Sequence, residues 1–364
     1  MIEKSEIKVY NFIHILQKGP TMKKKCIALF LFALLLSVHA NMREVSFYCA
    51  TPAKSIPVID GKLDDPCWNV PEYTASYEYF IPNPGPGKLK NSIRMIYNEQ
   101  GLYIGIIHYD DNPKAARATI TDRDNPNLWT DDCTEFYIDP DAAAIGWRKF
   151  VINILGSVTD VWRIDSSVYR DDWTADGWEM KIHVTKNSWQ IENFMPWSVF
   201  TKKAKAGDIW TFCHVRYAWG SGKFIGTTSC PGANNNATHN FGYLCFVSEK
   251  QNVKLNDIAK TLSSRIAPPW CIGMDNEVIF DEGDGMNKTS LDTLIGKEKS
   301  RIEKVLAIKD IPPKFAGERA KLQKEYEDAL KNIPKSIQLM RTLSGLAGRL
   351  EKFQWAMALD KDFN

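Results

Sequence analysis

Asp131, Asp132, Glu135 and Asp139 crowd one short segment, and clustered carboxylates have two common uses. Two of them can cleave a glycosidic bond when they flank it roughly 5 to 10 Å apart, or several can gather oxygen ligands around a hard cation such as calcium. Neighbouring acids in one strand segment more often serve framework or binding roles, and no Gly-x-Ser-x-Gly nucleophile turn occurs, so a non-catalytic protein is expected. The calcium candidates are Asp60, Asp64, Asp110 and Asp131, with Asp65 and Asp132 beside them. Turn-forming aspartates that hydrogen-bond their own backbone are the competing reading. Asp281-Glu282-Gly283-Asp284-Gly285 places Gly283 where a helix-loop-helix calcium site needs a ligand. His108, Met180 and His183 lie in strand patterns and have the donor types of haem ligands, although a lone strand histidine is more often a core residue. The 12 Trp residues point another way, because an indole offers a flat apolar face with one polar handle, suited to half-wet binding surfaces. Trp129, after Pro126-Asn127, and Trp219, beside Gly220 and Gly222, fall in loop contexts, where binding residues concentrate.

The elements that position these residues are short. Runs rich in β-branched and aromatic residues, bounded by Gly, Pro, Asn and Asp, predict strands at Ser92 to Tyr97, Leu102 to Tyr109, Thr134 to Asp139 and Lys149 to Ile154. The same reading predicts strands at Glu179 to Val184, Trp189 to Phe194, Ile209 to Arg216 and Phe241 to Val247. Asn98 to Gly101 reads as a hairpin turn in which Gly101 supplies a positive φ. Many short strands without intervening amphipathic helices predict a mainly β fold, an antiparallel β-sandwich of the jelly-roll or immunoglobulin-like kind, over residues 42–248. Helical periodicity follows over 289–364. Leu291, Leu294, Ile295, Ile302, Val305 and Leu306 share one face, then Leu322, Tyr326, Ala329 and Leu330, then Leu339, Leu343, Leu346, Leu350 and Phe353, with Pro312-Pro313 and Pro334 between them. This predicts a small helical hairpin or bundle, whose first role is packing or spacing and whose second would be docking a protein partner. Residues 249–288, with Pro268-Pro269 and the acidic turn, read as a linker.

Met22 to Lys25 precede an apolar run from Ile27 to Leu36 that ends in Ser37-Val38-His39-Ala40. A basic start, about ten apolar residues and a small residue at the cut match an export signal, whereas a spanning helix needs ~20 apolar residues. Residues 1–40 are therefore expected to be an upstream extension and signal peptide, with Met22 as the true start. No lipid-attachment Cys follows, so no membrane anchor is expected. Removing Cys26 leaves Cys49, Cys67, Cys133, Cys213, Cys230, Cys245 and Cys271, an odd set without a Cys-x-x-Cys pair, so a structural zinc is not expected. Cys213 reads as a small core residue. Lys+Arg 46 against Asp+Glu 44 gives no general electrostatic case for nucleic acid.

Val58-Ile59-Asp60-Gly61-Lys62-Leu63-Asp64-Asp65-Pro66-Cys67-Trp68 resembles the opening of family 9 carbohydrate-binding modules and their sandwich relatives. Leu102 to Gly105, Arg123-Asp124, Trp129 to Pro140, Phe150 to Asn153 with Gly156, Trp189 to Trp197, Arg216 and His239 to Gly242 follow in the family's order. The resemblance runs from Val58 to Gly242 and leaves out the helical region. It implies a sugar held between two aromatic platforms, here Trp129 and Trp219, with polar contacts from Glu135, from Arg148 or Arg163, and from Asn234 to Asn236. A pyranose suits such a site, because its C–H faces stack on indoles while its hydroxyls need fixed donors and acceptors. Trp68, Trp178, Trp189 and Trp197 match framework positions. The resemblance thus implies an exported, non-catalytic carbohydrate-binding protein, secreted or periplasmic, with a saccharide or polysaccharide ligand. Structural calcium, frequent in related modules, is the one cofactor expected from it. The rival readings are a non-binding module of a cell-surface assembly and the carbohydrate-binding part of a glycoside hydrolase system.

Overall fold

Every strand expected between Ser92 and Val247 forms close to its expected ends. The computed structural model describes residues 43–72, 78–81, 85–86, 89–165, 167–220, 225–229, 238–248 and 254–363. The expected signal segment, Cys230 and Asn234 to Asn236 lie outside the described residues. In chain order the strands begin with β1 (Arg43–Glu44), β2 (Phe47–Pro52), β3 (Glu78–Ile81), β4 (Gly85–Pro86), β5 (Asn91–Tyr97) and β6 (Gly101–Tyr109). They continue through β7 (Cys133–Asp139), β8 (Arg148–Asn153), β9 (Val158–Arg163), β10 (Tyr169–Arg170), β11 (Glu179–Val184) and β12 (Ser188–Pro196). The remaining strands are β13 (Ile209–Ala218), β14 (Ile225–Thr228), β15 (Gly242–Phe246), β16 (Trp270–Met274), β17 (Glu277–Asp281) and β18 (Met286–Ser290). The helices are α1 (Leu255–Ser263), α2 (Leu291–Leu306), α3 (Ala316–Asn332) and α4 (Ile337–Phe363).

The larger sheet runs β10-β9-β8-β7-β13-β15-β2-β5-β6-β12-β11 and is antiparallel except where β2 pairs with β15 and β5. It curls over itself as a sandwich. Phe136, Ile138, Phe150 and Ile152 from one half pack with Ile93, Ile104, Ile106 and Ile191 from the other in one buried cluster. The period-two pleat sends these residues inward and their sequence neighbours outward, and each such side chain contributes about 1.5–3 kcal/mol by leaving water.

The opening motif is a framework device. Glu192 on β12 accepts hydrogen bonds from Asp60 N at 2.9 Å, Gly61 N at 3.0 Å and Trp68 Nε1 at 2.9 Å, pinning the loop to the sheet. Gly61 has φ +90°, and a Cβ there would lie 2.6 Å from the Ile182 carbonyl carbon. Gly101 differs from expectation, since it is not among the residues with positive φ. The Asn98 side chain closes that turn by accepting from Gln100 N at 2.8 Å and Gly101 N at 3.2 Å. Glycine is needed because a Cβ would meet Met195 O at 2.2 Å.

The segment read as a linker is folded instead. Helix α1 and strands β16 and β17 pack on the sandwich, β18 pairs with β17, and β1 adds in parallel to β16 to give a four-stranded sheet. Trp270, Ile272 and Ile279 join the sandwich core, while Cys271 and Val278 point into the helical cluster. Strands β16 and β17 bury residues on both faces, so they show neither the polar alternation of a surface strand nor helical periodicity. The three expected helices form α2, α3 and α4, and Ser290 caps α2 by accepting from Thr293 N at 3.0 Å.

Candidate functional site

The acidic segment before β7 acts as a pair of grips. The buried Asp131 carboxylate accepts from Thr119 N at 3.0 Å, Ile120 N at 2.9 Å and Asn153 Nδ2 at 2.9 Å. Asp132 turns the other way. Its Oδ2 accepts from Arg117 N at 2.8 Å and from Trp219 N at 3.0 Å, which ties the loop before Thr119 to the end of β13. Burial raises the Asp132 pKa above the ordinary carboxylate value, and the two backbone N–H groups partly offset that rise.

These grips bring Trp129 and Trp219 together across a long stretch of chain. A short 3-10 turn, Leu128–Thr130, buries Leu128 and leaves Trp129 41% exposed. The half-buried Trp219 donates through Nε1 to Trp129 O at 3.3 Å. The Arg117 guanidinium lies 4.9 Å over the Trp219 ring and steadies it by a cation–π contact. Tyr217 backs Trp129, with ring centroids 6.3 Å apart.

The other proposed contacts divide. Glu135 is buried on the sheet face that also carries Tyr137, Lys149 and Val151; it accepts from Tyr137 OH at 2.5 Å and pairs with Lys149 Nζ at 2.8 Å. Burial, and then the Glu135 carboxylate, push the Tyr137 pKa up. Arg163 on β9 shares this face and is half-buried. Arg148 does not. The pleat turns it to the opposite face, where it donates to Gly146 O, Phe200 O and Thr201 Oγ1 at 2.8, 3.2 and 3.1 Å and stacks 4.7 Å over Trp162. Arg148 is therefore a framework residue, because a one-residue difference along a strand reverses the side chain.

The calcium set also separates. Among the described residues no three His, Cys, Asp or Glu side chains gather as metal ligands. Asp60 pairs with Lys62 at 2.7 Å, Asp64 is exposed in the opening loop, Asp110 pairs with Arg216 at 2.9 Å and Asp131 is engaged by N–H donors. Asp60, Asp110 and Asp131 serve turns and loop anchors here. The haem donors fare similarly. Met180 and His183 lie on opposite faces of β11, and the buried His108 packs against Trp189 at 4.4 Å and His214 at 5.2 Å.

Sequence reasoning missed Arg117 and the anchoring role of Asp132, since neither contact has a local signature. It also missed a cleft of about 980 Å³ lined by Lys90, Tyr109, Asp110, Asp132, Asn187 and, on either side of Trp219 in the chain, Ala218 and Gly220 among others. Arg216, buried beneath it, donates to Tyr109 O at 2.8 Å and Asp110 Oδ2 at 2.9 Å.

No family model matches the chain, and neither does any curated protein. Among solved structures it is similar to a family 9 carbohydrate-binding module from Caldicellulosiruptor kristjanssonii in complex with cellotriose. That match has 16% identity and a TM-score of 0.42 and covers 61% of this chain and 100% of the module. The glucose complex from the same organism is similar at 16% identity and a TM-score of 0.42, covering 57% and 100%. A candidate carbohydrate-binding protein from Bacteroides uniformis is similar at 13% identity and a TM-score of 0.45, covering 56% of this chain and 99% of that one.

Proposed function

We propose that this chain is an exported, non-catalytic carbohydrate-binding protein, secreted or periplasmic, that serves carbohydrate breakdown by holding a saccharide against Trp129 and Trp219. The observation that carries the reading is the Trp219 Nε1 to Trp129 O contact at 3.3 Å, which sets two indoles from distant loops on one rim. An exposed indole offers its face to the apolar C–H surface of a sugar ring. The Arg117 guanidinium supplies a charge against Trp219, and Glu135, Lys149 and Arg163 share one face of the sheet.

The use of the acids supports binding without turnover. Asp132, which precedes β7, holds the backbone of Arg117 and Trp219, while Glu135 on β7 holds Tyr137 and Lys149. Both carboxylates are committed to these contacts, which favours framework roles over the acid and base pair of glycoside hydrolysis. Among the described residues no helix is long and apolar enough to cross a membrane.

The test is titration of residues 41–364 with mono- and oligosaccharides, followed by calorimetry and Trp fluorescence. Saturable binding with Kd between about 1 μM and 1 mM, lost in Trp129→Ala, is expected. A folded sample that responds to no saccharide overturns the reading. One observation favours a second reading, a docking module of a cell-surface assembly: Trp355 and Leu359 are 41% and 47% exposed one turn apart on α4.

A further inference from the structure

We propose that the cleft lined by Ala218 and Gly220 is a second saccharide subsite with Tyr109 as its platform, so that the ligand is an oligosaccharide rather than a single sugar unit. This rests on the saccharide reading above and extends it to the length of the ligand.

Tyr109 ends β6 and is 42% exposed, an unusual position for a large aromatic at the lip of a cleft. The cleft, at about 980 Å³, lies near the top of the roughly 300–1,000 Å³ range of small-molecule sites. Its walls carry acceptors (Asp110, Asp111, Asp132) and donors (Lys90, Asn112, Asn187), the mixture that a hydroxyl-rich ligand pairs with and a purely anionic or apolar ligand does not.

The platform is held in place from below. Tyr109 N donates to Lys90 O at 3.1 Å and Asp110 N to Asn187 O at 3.0 Å, while Arg216 grips Tyr109 O and Asp110 Oδ2. A backbone fixed from three strands and a ring with few free torsions cost little entropy when a ligand binds. Gly220, which also lines the cleft, approaches the Ala115 carbonyl so closely that a Cβ would lie 2.7 Å from its oxygen.

Trp219 joins this cleft to the first platform. Its side chain donates to Trp129 O, its backbone N–H is held by Asp132, and its neighbours Ala218 and Gly220 line the cleft. Trp129 and Trp219 thus meet through one hydrogen bond, and the chain neighbours of Trp219 carry the wall of the cleft that Tyr109 also lines.

Calorimetric titration of the full mature chain with glucose, mannose and xylose and with their β-1,4-linked tetraoses tests this, together with Tyr109→Ala, Tyr109→Phe and Lys90→Ala. At least one tetraose is expected to bind tenfold or more tightly than its monosaccharide. Tyr109→Ala should remove that gain while the monosaccharide affinity stays, Tyr109→Phe should keep it, and Lys90→Ala should weaken only the tetraose. Equal affinities for monosaccharide and tetraose, or a Tyr109→Ala variant that keeps the gain, overturn the second subsite and leave the first standing. If no saccharide binds a folded sample, the saccharide reading itself falls and the subsite with it.

Discussion

The two ends of the sandwich core are built from opposite materials. At one end Phe150, Trp197, Phe200, Trp210 and Phe246 pack edge-to-face or tilted with ring centroids 4.9 to 6.5 Å apart, and α1 and the small sheet close over them. At the other end the inward positions hold Asn91, His108, Thr134, His214 and Arg216, with hydrogen bonds from His108 Nδ1 to Asn91 at 2.6 Å and between His214 Nε2 and Thr134 at 2.7 Å. The aromatic end gains stability from area and ring geometry. The polar end gives up part of that and gains direction, because Arg216 can aim hydrogen bonds at the loops that carry Tyr109 and Asp110. The candidate site lies over the polar end.

The largest effect is expected at the aromatic end. Trp210→Ala should cost about 3–5 kcal/mol in chemical denaturation and leave saccharide affinity unchanged in the protein that still folds. A loss of affinity at constant stability would break the division between the two ends. At the polar end, Arg216→Met should cost about 2–3 kcal/mol, below a fully buried pair because Asp110 is partly solvated, and should also weaken tetraose binding by loosening Tyr109. An affinity unchanged in the folded variant would mean that Arg216 supports the fold alone.

Titration sharpens the comparison. Burial, and then Arg216, lower the pKa of His108, with His214 adding to the effect, and burial with Arg216 brings His214 down to about 3. Both imidazoles stay neutral in the folded state while the unfolded chain takes up protons below its ordinary value of 6.5. The sign follows from that difference. Stability is unaffected above pH 6.5 and falls as the pH drops from there toward 3, by up to about 1.4 kcal/mol per pH unit for each imidazole. Asp132 and Glu192, both raised by burial, bind protons more readily when folded and tilt the curve the other way at lower pH. Denaturation of wild type and His214→Gln between pH 7 and 5 isolates the imidazole share: the variant should show a shallower fall, and parallel curves would refute it. The smallest stability effect is expected at the surface, where Trp129→Ala should change stability by no more than about 0.5 kcal/mol. A larger loss would make Trp129 a packing residue.

Much of the sandwich was legible because its strands are runs rich in β-branched and aromatic residues bounded by turn residues, as in Ser92 to Tyr97 and Leu102 to Tyr109. Residues 249–288 were not, since strands such as Trp270–Met274 are buried on both faces and sit beside Pro268-Pro269 and an acidic turn. At the candidate site, Trp129 and Trp219 were legible from their loop contexts and from the resemblance. Arg148 was misplaced because its neighbour Lys149, not Arg148 itself, faces Glu135.

Local pattern, acting through the pleat and the turn residues, determined which segments become strands and helices and which aromatic residues stay in loops. The tertiary structure decided what no local pattern carries: that Asp132 binds the backbone of both Arg117 and Trp219, that Arg216 anchors Tyr109 and Asp110, and that the two indoles share one rim. The physical reason is range. Alternation and turn chemistry act between neighbours in sequence, whereas these hydrogen bonds join partners brought together only when the sheet curls.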